Sequence, residues 1–129
     1  MTGLDSNVLI RYLAQDDAAQ SARATRLIER ELSARAPGFV SLLVLVETCW
    51  VLKRVYGVTP DEIATTVRDL LDTRQLVLER RATVARALAR TGADNFADAL
   101  IADAAVEAGC SRIVTFDRKA ARLGMTLLA

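Results

Sequence analysis

Short apolar stretches alternate with helical ones from one end of this chain to the other, and nothing else in it constrains the fold as tightly. Residues 2–4, 39–40, 75–78, 111–116 and 125–128 read as strands, and each pair is separated by helical sequence. Such alternation predicts an α/β fold: a three-layer α/β/α sandwich with a mostly parallel central sheet covered on both faces. With 129 residues, the chain is long enough for one core and too short for two, so residues 1–129 are expected to form a single domain. There is no internal repeat, linker or low-complexity segment.

The helices carry their own punctuation. Ser6 can cap a helix over 7–14. A second helix starts at Asp16-Asp17 and runs towards residue 35 with Leu27, Ile28 and Leu32 facing inward. Pro37-Gly38 is a turn, and Ser41 caps a long apolar helix ending near Gly57. Thr59-Pro60-Asp61-Glu62 matches a capping box with proline at the first helical position, opening a helix to about residue 73. A helix over 81–90 ends at Gly92, and one over 96–108 is closed by Gly109. Asp117 starts a short last helix that Gly124 closes. Trp50 and Tyr56, on the apolar helix, are expected in the core, with a dimer interface as the alternative.

Composition narrows the chemistry. The chain has no histidine, which removes a Ser-His-Asp triad, a histidine base and every histidine-containing zinc site. Two cysteines, Cys49 and Cys110, cannot make a four-thiolate site. Any bound metal must be held by oxygen. The net charge is +1, so nucleic-acid binding would need a local patch and not a global field. The N-terminus has no basic leader before its apolar stretch and reads as mature protein. No apolar run reaches the roughly 18–20 residues of a membrane helix; the longest, 39–52, is broken by Glu47. A cytoplasmic protein with reduced thiols is expected.

Four acids stand in unusual places. Glu47 shares its helix face with Leu43, Val44, Trp50 and Val51, so it is either buried or lines a cleft. Asp5 and Asp117 each end a strand and precede a helix. Either alone reads equally well as a helix cap, but ligands of open parallel sheets gather at the carboxyl ends of strands. Asp98 lies in the first turn of its helix, where an acid also suits the macrodipole. Asp94 and Asp103 are nearby competitors. If Asp5, Glu47, Asp98 and Asp117 converge, they repel one another. A hard divalent cation such as Mg²⁺ or Mn²⁺ relieves that repulsion, and an acidic site with open water positions suits phosphodiester hydrolysis.

Four segments, in order, carry a resemblance. Asp5-Ser6-Asn7-Val8-Leu9 is similar to the D-[ST]-N-x-L opening of PIN domains. The segment SLLVLVETCWVLKRVYG, over 41–57, resembles their second-acid helix, with Glu47 in that role. Asn95-Phe96-Ala97-Asp98-Ala99-Leu100-Ile101-Ala102 resembles the third-acid helix, and Thr115-Phe116-Asp117-Arg118-Lys119-Ala120-Ala121 the fourth-acid segment. Spacing and length resemble the VapC toxins of VapBC toxin–antitoxin pairs. The resemblance implies a Mg²⁺-dependent endoribonuclease, commonly a homodimer, inhibited by a small cognate antitoxin. It implies Asp5 and Asp98 as Mg²⁺ ligands, with Glu47 and Asp117 completing the acidic pocket directly or through water. Asn7 and Thr115 would orient carboxylate or water. One departure is local: many relatives carry an acid where this chain has Asn95, with Asp94 one step earlier.

Arg11, Arg112, Arg118, Lys119 and Arg122 are candidates for holding RNA phosphates around that pocket, Arg118 and Lys119 most directly because they follow Asp117. Single-stranded RNA is favoured over duplex. With three Phe, two Tyr and one Trp, no base-stacking platform is evident.

Other readings compete. A haloacid-dehalogenase-like phosphatase needs a second Asp two residues after the first, where this chain has Asn7. A response-regulator receiver needs a phosphoacceptor Asp after its third strand, where this chain runs into Glu79-Arg80-Arg81. A PIN-like binding module without catalysis, or a solitary RNA-processing nuclease without antitoxin, shares the fold and is separated only by function.

Overall fold

A computed structural model describes residues 1–91 and 95–128. Five strands and seven α-helices alternate along it: β1 (Thr2–Gly3), α1 (Ser6–Ala14), α2 (Ala18–Arg26), β2 (Gly38–Val40), α3 (Leu42–Arg54), α4 (Pro60–Asp72), β3 (Leu76–Leu78), α5 (Arg81–Thr91), α6 (Phe96–Glu107), β4 (Val114–Thr115), α7 (Arg118–Ala121) and β5 (Thr126–Leu127). Every strand pairing is parallel, as the alternation predicts. β2 lies between β1 and β3, with Gly38 opposite both Thr2 and Leu76, while β4 and β5 form a separate two-stranded ladder. The architecture is the α/β/α arrangement read from the sequence.

The strands are short and the helices supply most of the core. Leu9 of α1, Leu45 of α3, Val67 of α4, Val84 of α5 and Leu100 of α6 are all buried in one cluster with Val40 of the central strand. Gly38 is required here by packing: a Cβ on it would meet Leu32 Cδ1 at 2.8 Å, Leu4 Cδ1 at 3.1 Å and Leu76 Cδ2 at 3.2 Å. A second, smaller cluster joins Ala102 of α6 to Ala120, Met125 and Ile113. α6 therefore serves both ladders. Arg90 adds a polar tie, donating to Asp103 Oδ1 at 2.8 Å and to the carbonyls of Ala99 and Leu123.

Local punctuation mostly falls where the residues place it. Ser41 Oγ accepts from Val44 N, and the Thr59–Glu62 capping box is complete. Gly109 (φ +100) and Gly124 (φ +96) end α6 and α7 in the left-handed conformation that glycine adopts without strain. Three expectations are corrected. The second helix stops early: α2 passes into one π-helical turn, Leu27–Glu31, and Leu32 is already extended. Leu32 turns out of the helix so that its side chain can pack over Gly38, and Ser33 and Ala36 then close a turn into β2. The helix cap of α1 is Asp5 in position, not Ser6, which lies inside the helix. Trp50 is not in the core: it is 58% exposed, on the outer face of α3. Gly92, expected to end α5, lies outside the described residues, as does Asp94.

Candidate active site

The carboxyl ends of the strands bear four polar residues in positions set by the fold. Asp5 follows β1, Ser41 follows β2, Glu79 follows β3 and Asp117 follows β4. Two of these are occupied structurally, since Ser41 caps α3 and Glu79 Oε1 accepts the Leu42 N–H at 2.8 Å. Asp5 is different. It has the extended backbone of an N-cap, yet its carboxylate makes no capping bond, and the side chain is exposed. Asp117 does cap its helix: Oδ1 accepts from Lys119 N at 2.8 Å, while the Asp117 N–H donates to Thr115 Oγ1 at 3.0 Å.

Glu47 sits in the middle of α3, exposed and not buried. The Ser6 hydroxyl, itself buried, donates to Glu47 Oε1. This bond couples the first turn of α1 to α3 and brings Glu47 to the residue next to Asp5. Ser6 is the member of the site that the sequence misassigned as a cap; its place directly after a strand-end aspartate was the only local hint of another role.

Asp98 lies half-buried in the first turn of α6 and lines a cleft of about 600 Å³. The walls are α3, the start of α4, the start of α6 and α7; Cys49, Ile63 and Phe96 give it an apolar floor. Lys53, Lys119 and Arg122 also line it. Burial pushes the Cys49 thiol up to about 12, so the floor thiol is protonated and carries no charge into the cleft.

None of Asp5, Glu47, Asp98 and Asp117 is in an ion pair among the described residues, and of the other described acids only three are. Asp16 pairs with Arg11, Asp103 with Arg90, and Glu107 with both Arg80 and Arg86. Asp103 is thereby accounted for as a structural partner. So is Glu107, whose carboxyl is held below its usual range first by the Thr83 hydroxyl and then by Arg80 and Arg86. Arg11 is also engaged, since it donates to Gln20, Asp16 and the Tyr56 hydroxyl. Arg112 and Arg118 are exposed, and Asn7 faces a shallow groove between α1 and α2.

The expectation of one tight nest of four acids is corrected. Among the described residues, no three carboxylates or thiolates are gathered closely enough to hold an ion between them. Two of the four have local donors, Glu47 in Ser6 and Asp117 in its own helix. In kind, the donor set still fits a hard divalent cation: oxygen only and free of lysine or arginine partners. Magnesium retains several waters, so one or two carboxylates are enough to bind it.

The sequence profile of the PIN domain matches residues 4–124, a span that contains all four acids. The chain belongs to the PIN domain family. PIN domains are generally metal-dependent nucleases that use divalent ions. A comparison with curated proteins gave no match. In this PIN domain no described helix is long and apolar enough to cross a membrane.

Proposed function

We propose that this PIN domain is a Mg²⁺-dependent endoribonuclease and the toxin of a VapBC-like toxin–antitoxin pair, cutting single-stranded RNA in the cytoplasm. The observation that carries the reading is the PIN-domain match over residues 4–124, a span that holds all four acids, together with an Asp5 carboxylate left without a capping bond and an Asp98 that lines the cleft.

In this reading Asp5 and Asp98 hold the ion, with Mn²⁺ able to substitute, and Glu47 and Asp117 complete the pocket directly or through water. The bound ion supplies Lewis-acid polarisation of the scissile phosphate and offsets its charge. The chain does the rest. Ser6 holds one oxygen of Glu47 and leaves the other to orient water. The Thr115 hydroxyl fixes the backbone at Asp117. Lys119 and Arg122 on the cleft wall, with Arg118 and Arg112 beyond it, grip phosphates and offset the repulsion between RNA and the acids. Arg11 has a lesser part, since Asp16 and Tyr56 already engage it. A homodimer and a small protein antitoxin complete the proposal.

The test is cleavage of end-labelled single-stranded RNA by the purified full chain. Mg²⁺ is expected to support cleavage and EDTA to stop it. Asp5→Asn and Asp98→Asn are expected to abolish cleavage and growth arrest on expression while leaving the circular dichroism and melting temperature unchanged. Full cleavage by Asp5→Asn overturns the assignment. Light scattering reads the dimer, and co-purification with the product of a neighbouring short gene reads the antitoxin.

A further inference from the structure

Trp50 is the only tryptophan of the chain; it is 58% exposed and lines the same cleft as Asp98. Exposure alone does not set Trp50 apart, since Leu43 on the same helix is 84% exposed. Its surroundings are specific. Glu47, Trp50 and Arg54 follow one another at helical spacing, so the ring lies on the same exposed stripe of α3 as Glu47. The Arg54 guanidinium sits 5.5 Å from the ring centroid, within cation–π range. The only two lysines in the sequence, Lys53 and Lys119, both line this cleft, and Arg122 joins them. None of these three cations is in an ion pair among the described residues. The cleft thus has a flat aromatic surface, cations without protein counter-charges, and one carboxylate.

We infer that Trp50 is a nucleobase-stacking residue, which holds one base of a single-stranded RNA while Lys53, Lys119 and Arg122 grip the adjoining phosphates, so that the backbone passes Asp98. This rests on the nuclease reading for its substrate but on different residues for its observation. Every base offers a π-face, so stacking gives affinity and register without strong sequence preference, and an adjacent guanidinium adds to it. The charges favour a polyanion over an apolar peptide as occupant.

The single tryptophan makes the test direct. The full chain, free of divalent ion, is titrated with a short single-stranded oligoribonucleotide of mixed sequence. Intrinsic fluorescence is expected to be quenched saturably, and quenching to weaken as salt rises. By anisotropy of the labelled RNA, Trp50→Ala is expected to bind about tenfold more weakly, with Trp50→Phe restoring most of the affinity. Lys53→Ala and Lys119→Ala are each expected to weaken binding and lower the salt slope by about one. Trp50 is largely in water, so Trp50→Ala should fold, which circular dichroism checks. An unquenched tryptophan together with undiminished RNA affinity in Trp50→Ala overturns the inference and leaves the nuclease reading standing. Quenching with no cleavage in any divalent ion does the reverse. Should Trp50→Ala lose a co-purifying protein yet bind RNA as before, the surface belongs to a protein contact and the inference fails.

Discussion

Ser6 donates its hydroxyl proton to Glu47 and so joins two segments 41 residues apart in the chain. If Glu47 works in the acidic pocket, Ser6 positions it without touching substrate. Ser6→Ala is then expected to lower RNA cleavage by about 10–100-fold, and Ser6→Thr to recover much of it. A purely structural role predicts instead a lower melting temperature with cleavage per folded molecule unchanged. The two cysteines separate in the same way by environment. Cys49 is buried with its thiol raised to about 12, while Cys110 is exposed. A thiol reagent at neutral pH is expected to label Cys110 alone in the native protein and both cysteines in denaturant; rapid labelling of Cys49 would show that the cleft floor opens. Trp50 reverses an expectation for a comparable reason. It lies on an apolar helix, which reads as core, but its neighbours at three and four residues include Glu47, Lys53 and Arg54, and the side of α3 that the fold buries carries Leu45, Thr48, Cys49 and Leu52. Which face of an almost uniformly apolar helix turns inward is a tertiary decision.

Elements with strong local chemistry follow their sequences. The Thr59–Glu62 capping box, Pro60 at the helix start and the Ser41 cap depend on atoms within a few residues of one another, so they form as read. The second helix is the counter-example: it ends at Leu32, whose side chain packs over Gly38, several residues before the Pro37-Gly38 turn. That contact supplies a prediction. Gly38→Ala drives a methyl group into three leucine termini at once, and urea unfolding is expected to show destabilisation of about 1–2 kcal/mol, with the midpoint shifted and the slope unchanged. No loss of stability would mean that Leu32, Leu4 and Leu76 repack freely. Strand ends are the other lesson at this level. Four of them carry polar residues, yet Ser41 and Glu79 serve helix α3 and Asp117 serves α7, leaving Asp5 as the strand-end acid with no capping bond.

Across the whole molecule, α6 is the hinge of the design, placing Leu100 in the main core and Ala102 in the cluster beneath β4 and β5. Glu107, at its far end, binds Arg80, Arg86 and Thr83 and locks α6 to α5. Because its folded carboxyl titrates below the ordinary value of 4.5, its contribution is present above that pH and is lost as pH falls through the lowered value. Glu107→Gln is expected to flatten the acid side of the stability–pH curve as pH falls below 4.5; an unchanged acid limb would show that the lock adds nothing. The sequence by itself determined the order of strands and helices, their parallel class, most caps and the family, because periodicity and capping are short-range and the four PIN segments are contiguous. Only the tertiary structure decided which carboxylates are held by arginines and which are left open, that Ser6 serves Glu47, and that Trp50 and both lysines share the cleft with Asp98. Those facts depend on the packing of helices distant in the chain, and no spacing along the sequence encodes them.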